Sequence, residues 1–113
     1  YKFNLLEIDA EHAEQLKSQY GFYTDITVPA GTYTPVDKDV KTVAVMATLA
    51  CRNDVPTEVV YEFTKGMFEL KDKLGAAGFK DKFDLVDQTT AVTGSTVPFH
   101  PGAEQYFKEI GAM

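Results

Sequence analysis

Pro29-Ala30-Gly31-Thr32-Tyr33 is the stretch whose residue types best suit recognition of a small molecule. Gly31 lets the backbone approach a ligand closely. Thr32 and Tyr33 place two hydroxyls beside it, and the Tyr33 ring adds an aromatic face. Backbone N–H groups, hydroxyls and a ring are what hold a small polar solute that carries a carboxylate. The candidate ligand-binding residues are therefore Gly31, Thr32 and Tyr33. A turn with Tyr33 packed on the core uses the same residue types, so the segment alone leaves both readings open.

Catalysis has no comparable foothold. No G-x-S-x-G elbow, P-loop or G-x-G-x-x-G occurs, and Gly94-Ser95-Thr96 reads only as a turn. The seventeen carboxylates fall mostly on helix faces, where no general acid/base pair stands out. His12 and His100 are the only histidines, and no Cys or second His is spaced to make a zinc site. His12 lies among charges and is expected in solvent. His100, between Phe99 and Pro101, is expected to bond a nearby backbone group through its ring. The single cysteine, Cys51, follows an apolar run and is expected as a buried, unreactive thiol. The chain is accordingly read as a non-enzyme without metal or cofactor.

The net charge of -6 and pI near 4.8 argue against nucleic acid, whose phosphates demand clustered Lys and Arg. Lys71, Lys73, Lys80 and Lys82 come closest to a cluster, but Glu69, Asp72 and Asp81 are interleaved, as on a solvated helix face. With 44% hydrophobic and 25% charged residues the composition is that of a globular protein. No apolar run reaches the length that spans a bilayer. At 113 residues a single domain is expected, too small for two lobes with a cleft between them. The opening residue is Tyr1 and nothing reads as a signal peptide, the pattern expected of a mature or truncated chain.

The elements that must position these residues follow from periodicity and punctuation. Phe3 to Ile8 reads as a short strand. Asp9 is a good N-cap for a helix from Ala10 to Tyr20 that Gly21 stops, with Ala13, Leu16 and Tyr20 on one face. Phe22 to Asp39, with Pro29, Gly31 and Pro35, should be extended segments and turns. Thr42 to Cys51 is nearly continuous apolar sequence, which predicts a strand covered on both faces in a parallel sheet. It finds no neighbouring strand within the chain, so either another subunit or a missing N-terminal part must supply one.

Pro56 sits where a helix begins, and Val60, Phe63, Met67, Leu70 and Leu74 keep an amphipathic spacing up to Gly75 and Gly78. Asp81 to Gln88 suggests another short helix with Phe83 and Val86 inward, and Thr89 to Thr96 a loop. Pro98-Phe99-His100-Pro101-Gly102 is a helix entry in which Gly102 permits a tight turn, leading into a helix over Ala103 to Ile110. The element order is that of α/β architecture.

Four segments carry a specific resemblance. Ile26 to Tyr33, Lys41 to Val45, Val59 to Lys65 and the closing Pro98 to Glu109 resemble, in order, the TAXI-type solute receptors of TRAP transporters, also described as immunogenic proteins. The resemblance covers nearly the whole chain. It implies an extracytoplasmic (periplasmic) solute-binding component of a TRAP-type secondary transporter. Such a protein captures a small organic acid or amino acid, glutamate among them, and delivers it to the TRAP membrane subunits.

The implied fold is the C-terminal portion of a two-lobed periplasmic-binding-protein (type II) fold, with residues 1–113 as one α/β segment and the N-terminal lobe absent. Self-association of the fragment is a further expectation. Where the family continues Gly-Thr-Tyr with Pro-Gly-Gln this chain has Thr34-Pro35-Val36, so the carry-over of site residues stops at Tyr33. The alternative is an interaction or antigen domain that keeps the pattern but binds no solute.

Overall fold

A computed structural model describes residues 3–113, which form two compact units. One unit runs through Thr48 and takes in Gly94–Thr96; the other comprises Leu49–Thr93 and Val97–Met113.

The first unit holds helix α1 (Ala10–Gln19) and strands β1 (Tyr23–Val28) and β2 (Val40–Val45). Asp9 caps α1 by accepting the His12 backbone N–H at 3.0 Å, which satisfies one of the donors a helix start leaves unpaired. Ala13 is buried and Leu16 half-buried, as their shared face requires. Tyr20 instead stays exposed against the rings of Phe22 and Tyr23. The core of this unit is Ala13, Val36 and Val40, of which Val40 is the most enclosed at 1% exposure.

The sheet differs from the sequence expectation. β2 pairs antiparallel with β1, Tyr23 facing Val45 and Val28 facing Val40, so the apolar run has a neighbour within the chain and is not a parallel strand. It is shorter too, because regular pairing ends at Val45, and Met46 to Cys51 are irregular and exposed. A two-stranded ribbon cannot cover both faces of a strand, so apolar residues remain in solvent. Cys51 is therefore exposed rather than buried. Phe3 to Ile8 does not form a strand; its link to the sheet is the Ile8 N–H donating to the Lys41 carbonyl at 3.0 Å.

The second unit contains α2 (Thr57–Glu69), α3 (Lys71–Leu74), a π-helical turn (Gly75–Phe79), α4 (Lys80–Phe83) and α5 (Pro101–Glu109). Pro56 stands just before α2 and Pro101 opens α5, each where a missing N–H costs nothing. The helix after α3 breaks at Gly78, whose φ is 105°. The predicted helix from Asp81 is confined to α4. The Asp81 and Lys82 side chains, part of the expected solvated face, lie outside the described residues. Lys73, Lys80, Glu69 and Asp72 are exposed on it and Lys71 is half-buried, donating to the Val86 carbonyl at 2.8 Å.

The packing of α2 on α5 holds this unit together. Phe68 stacks on Tyr106 with ring planes 12° apart, and Phe68, Phe99 and Tyr106 surround the buried Phe107. Such ring pairs add roughly 0.5–1.5 kcal/mol each beyond area burial. The buried Tyr106 hydroxyl accepts from Gln88 Nε2 at 2.9 Å, so it is not left unpaired. The inward stripe of α2 thus runs through Val60, Tyr61 and Phe68, while Phe63 and Leu70, expected inside, are exposed. No helix among the described residues is long and apolar enough to cross a membrane.

Candidate functional site

The segment from Pro29 to Asp39 is a loop closed on itself by backbone bonds. Gly31 N–H donates to the Val36 carbonyl at 2.8 Å, Val36 N–H to the Tyr33 carbonyl at 2.8 Å, and Thr32 N–H to the Pro29 carbonyl at 3.2 Å. Asp39 Oδ1 accepts the Ala30 N–H at 2.9 Å and ties the two ends together. Gly31 has φ 81°, a conformation that L side chains disfavour. Its role is thus to turn the chain; nothing lies within 4 Å of where a Cβ would stand, so close approach is not the reason for glycine here.

This geometry places Val36 in the core and turns Thr32 and Tyr33 outward. Tyr33 is 49% exposed, with one edge contact to Phe3 at 5.8 Å between ring centres and 71° between planes. Its hydroxyl makes no hydrogen bond among the described residues. The residues that follow Tyr33 line a half-open hollow of about 300 Å³, shared with the segment that starts at Asn4. Leu5, Val36 and Val40 give it an apolar lining; Asn4, Asp37 and Lys38 supply an amide, a carboxylate and an ammonium. Gly31, Thr32 and Tyr33 therefore share one loop beside a cavity. The polar cavity residues Asn4, Asp37 and Lys38 escaped sequence reasoning, because the approach of residue 4 to residue 37 is a tertiary fact.

Four described titratable groups outside this loop have shifted ionisation with structural causes. The backbone N–H and ring of His12 hold the Asp9 carboxyl below its usual range, as a helix cap does. Asp25, then Glu14, push the Lys17 ammonium up. The Thr89 hydroxyl and N–H hold Asp87 down. Tyr61 donates to Glu109 at 2.7 Å, a bond that pushes its phenol up to about 12.

The closing motif is equally structural. Gly102 N–H donates to His100 Nδ1 at 3.2 Å, so the proton sits on Nε2, which donates to the Val55 carbonyl at 3.0 Å. One ring caps α5 and ties it to the residue before Pro56, as expected for His100. Gly102 differs from its expected role: it is helical, and a Cβ there would stand 2.2 Å from the Thr57 carbonyl oxygen and 2.6 Å from the Tyr61 nitrogen. Close helix approach, not a tight turn, demands glycine. Among the described residues no three His, Cys, Asp or Glu side chains group as a metal site would need.

A mixed α/β segment with a two-stranded sheet, helices and an outward loop beside a small hollow accords with part of a periplasmic-binding-protein-like fold. Residues 1–111 match the NMT1-like family, and the chain belongs to that family. The family is periplasmic-binding-protein-like, which gives the chain a general solute-binding role.

Proposed function

We propose that the chain is part of the solute-binding component of a TRAP-type transporter of the TAXI group. On this reading it works in the extracytoplasmic space and captures a small carboxylate or amino acid such as glutamate for the membrane subunits. One observation carries the reading: a loop fixed by its own backbone bonds holds Gly31, Thr32 and Tyr33 outward beside a hollow, with the Tyr33 hydroxyl unengaged by any described residue. A rigid loop loses little entropy when its hydroxyls take up a ligand, which is how preorganisation raises affinity. The residues supply binding groups and no general acid/base pair, so capture and release is their chemistry rather than turnover.

In this account the chain forms one wall of a cleft and a further lobe forms the other. Calorimetric titration of the two-lobed protein with glutamate, glutamine and 2-oxoglutarate should give saturable heat with at least one of them. The 113-residue chain alone should give none at micromolar ligand. Tight binding by the chain alone would overturn the one-wall arrangement, and silence from the two-lobed protein with all three solutes would overturn the assignment.

A further inference from the structure

We propose that the outer face of α2 docks a basic amphipathic helix of a partner protein, with Val59, Phe63, Gly66 and Leu70 as its apolar seam and Glu58 and Glu62 as its acidic rim. The surface belongs to the helical unit alone and is independent of the Gly31–Tyr33 loop.

Its first support is the order of exposed apolar groups along one helix. Val59, Phe63 and Leu70 are 56%, 57% and 44% exposed. Single apolar residues at a surface need no explanation, but a row of them does. Steps of four, three and four residues join Val59, Phe63, Gly66 and Leu70, which is the seam spacing that packs a second helix. α5 already covers the neighbouring side, where Gly102 approaches Val60, so the seam is a separate face. Gly66 points the same way. A glycine inside a helix weakens it relative to alanine. Among the described residues nothing lies within 4 Å of where its Cβ would stand, so no internal contact calls for glycine there. Gly102 allows α5 to approach α2 closely, and Gly66 offers the same approach to a helix from outside.

The second support is charge. Glu62 and Glu69 immediately precede Phe63 and Leu70, and Glu58 stands one turn before Glu62, so all three edge the seam on one side. Lys65, on that side too, pairs with Glu69 at 3.9 Å, which leaves the rim net negative. Such a rim favours Lys or Arg beside the apolar residues of the incoming helix. It disfavours the other occupants. Anionic lipid headgroups would meet like charge. A second copy laid antiparallel would set Glu62 of one copy near Glu69 of the other, and one laid parallel would stack Gly66 on Gly66 and leave a gap.

Amide chemical shifts of the 113-residue chain read docking directly. A helical peptide of about four turns, with Leu at its seam positions and Lys on its flanks, should move the amides of residues 58–70 with saturation. The same peptide with Glu in place of Lys should bind at least about tenfold more weakly, and phosphatidylglycerol vesicles should not bind. Phe63→Ala should weaken peptide binding about tenfold and leave the melting temperature within a few degrees of wild type, because the ring is exposed. Gly66→Ala separates docking from folding: it should raise the melting temperature and yet weaken binding about threefold or more. Glu58→Lys combined with Glu62→Lys should reverse the preference from the Lys peptide to the Glu peptide. The two-lobed protein should respond as the 113-residue chain does. Five results would each overturn the docking surface. They are no response from residues 58–70, a response spread over acidic residues elsewhere, self-association of the chain through residues 58–70, vesicle binding, and loss of the response in the two-lobed protein.

Discussion

The helical unit and the sheet unit use the same kinds of residues to opposite ends. In the helical unit three notable groups are used up around the α2–α5 contact: the His100 ring bonds two backbone groups, the Tyr106 hydroxyl meets Gln88, and Phe107 is enclosed by three rings. In the sheet unit the exposed Tyr33 hydroxyl has no described partner, Asn4, Asp37 and Lys38 line a half-open hollow at the surface, and the buried core is three small aliphatic residues. The difference teaches where to look for function. A group whose hydrogen-bonding capacity is used up internally contributes stability, while one left open on a rigid frame is available to a ligand.

The comparison breaks most visibly at Phe107. Phe107→Ala should destabilise the helical unit by about 3–5 kcal/mol, because a buried ring is replaced by a cavity; urea unfolding followed by helical circular dichroism measures it. A loss under about 1 kcal/mol would mean the ring cluster is not the core. Gly102→Ala comes next. A Cβ pressed against the Thr57 carbonyl and the Tyr61 nitrogen must push α5 off α2, at a cost of about 1–3 kcal/mol in the same assay.

In the sheet unit, Gly31→Ala should cost about 1–2 kcal/mol from its left-handed backbone alone, with no steric clash. Gly31→Asn, which tolerates that backbone better, should recover part of the loss.

A subtler contrast is readable by pH. The folded Tyr61 phenol is pushed up to about 12 from an ordinary value of 10.0, chiefly by its bond to Glu109. A raised folded value means that the stability from this bond is fully present below the unfolded value. It is lost as pH rises through the folded one, between about 10 and 12. Absorbance titration at alkaline pH should show a late phenol step, and Tyr61→Phe should remove it.

Much of the helical structure in both units was legible in the sequence because helices announce their ends locally. Asp9 before α1, Pro56 before α2 and the His100-Pro101 pair before α5 are all caps or starts that chain neighbours decide. The face of α2 was less legible. Phe63 and Leu70 fit the apolar period yet lie exposed, since a period gives an apolar stripe without saying which residues a partner covers. The Thr42 to Cys51 run misled for the same reason. Its composition suits a strand buried on both faces, but burial depends on neighbours, and β1 alone cannot supply them. Of the candidate site, the turn at Gly31 and the hydroxyls of Thr32 and Tyr33 were legible from residue type, whereas Asn4, Asp37 and Lys38 become neighbours of one cavity only in the fold.

The central claim is that the Gly31–Tyr33 loop is a binding element and not a packing element, and Tyr33→Ala tests it most directly when stability and binding are measured on one preparation. The ring makes a single edge contact with Phe3, so its loss should cost at most about 1 kcal/mol and lower the melting temperature by no more than a few degrees. Solute binding by the two-lobed protein should weaken at least about tenfold, and Tyr33→Phe should weaken it less, by the worth of one hydrogen bond. A sharp fall in melting temperature with normal solute binding by the protein that remains folded would contradict the account and make Tyr33 a packing residue.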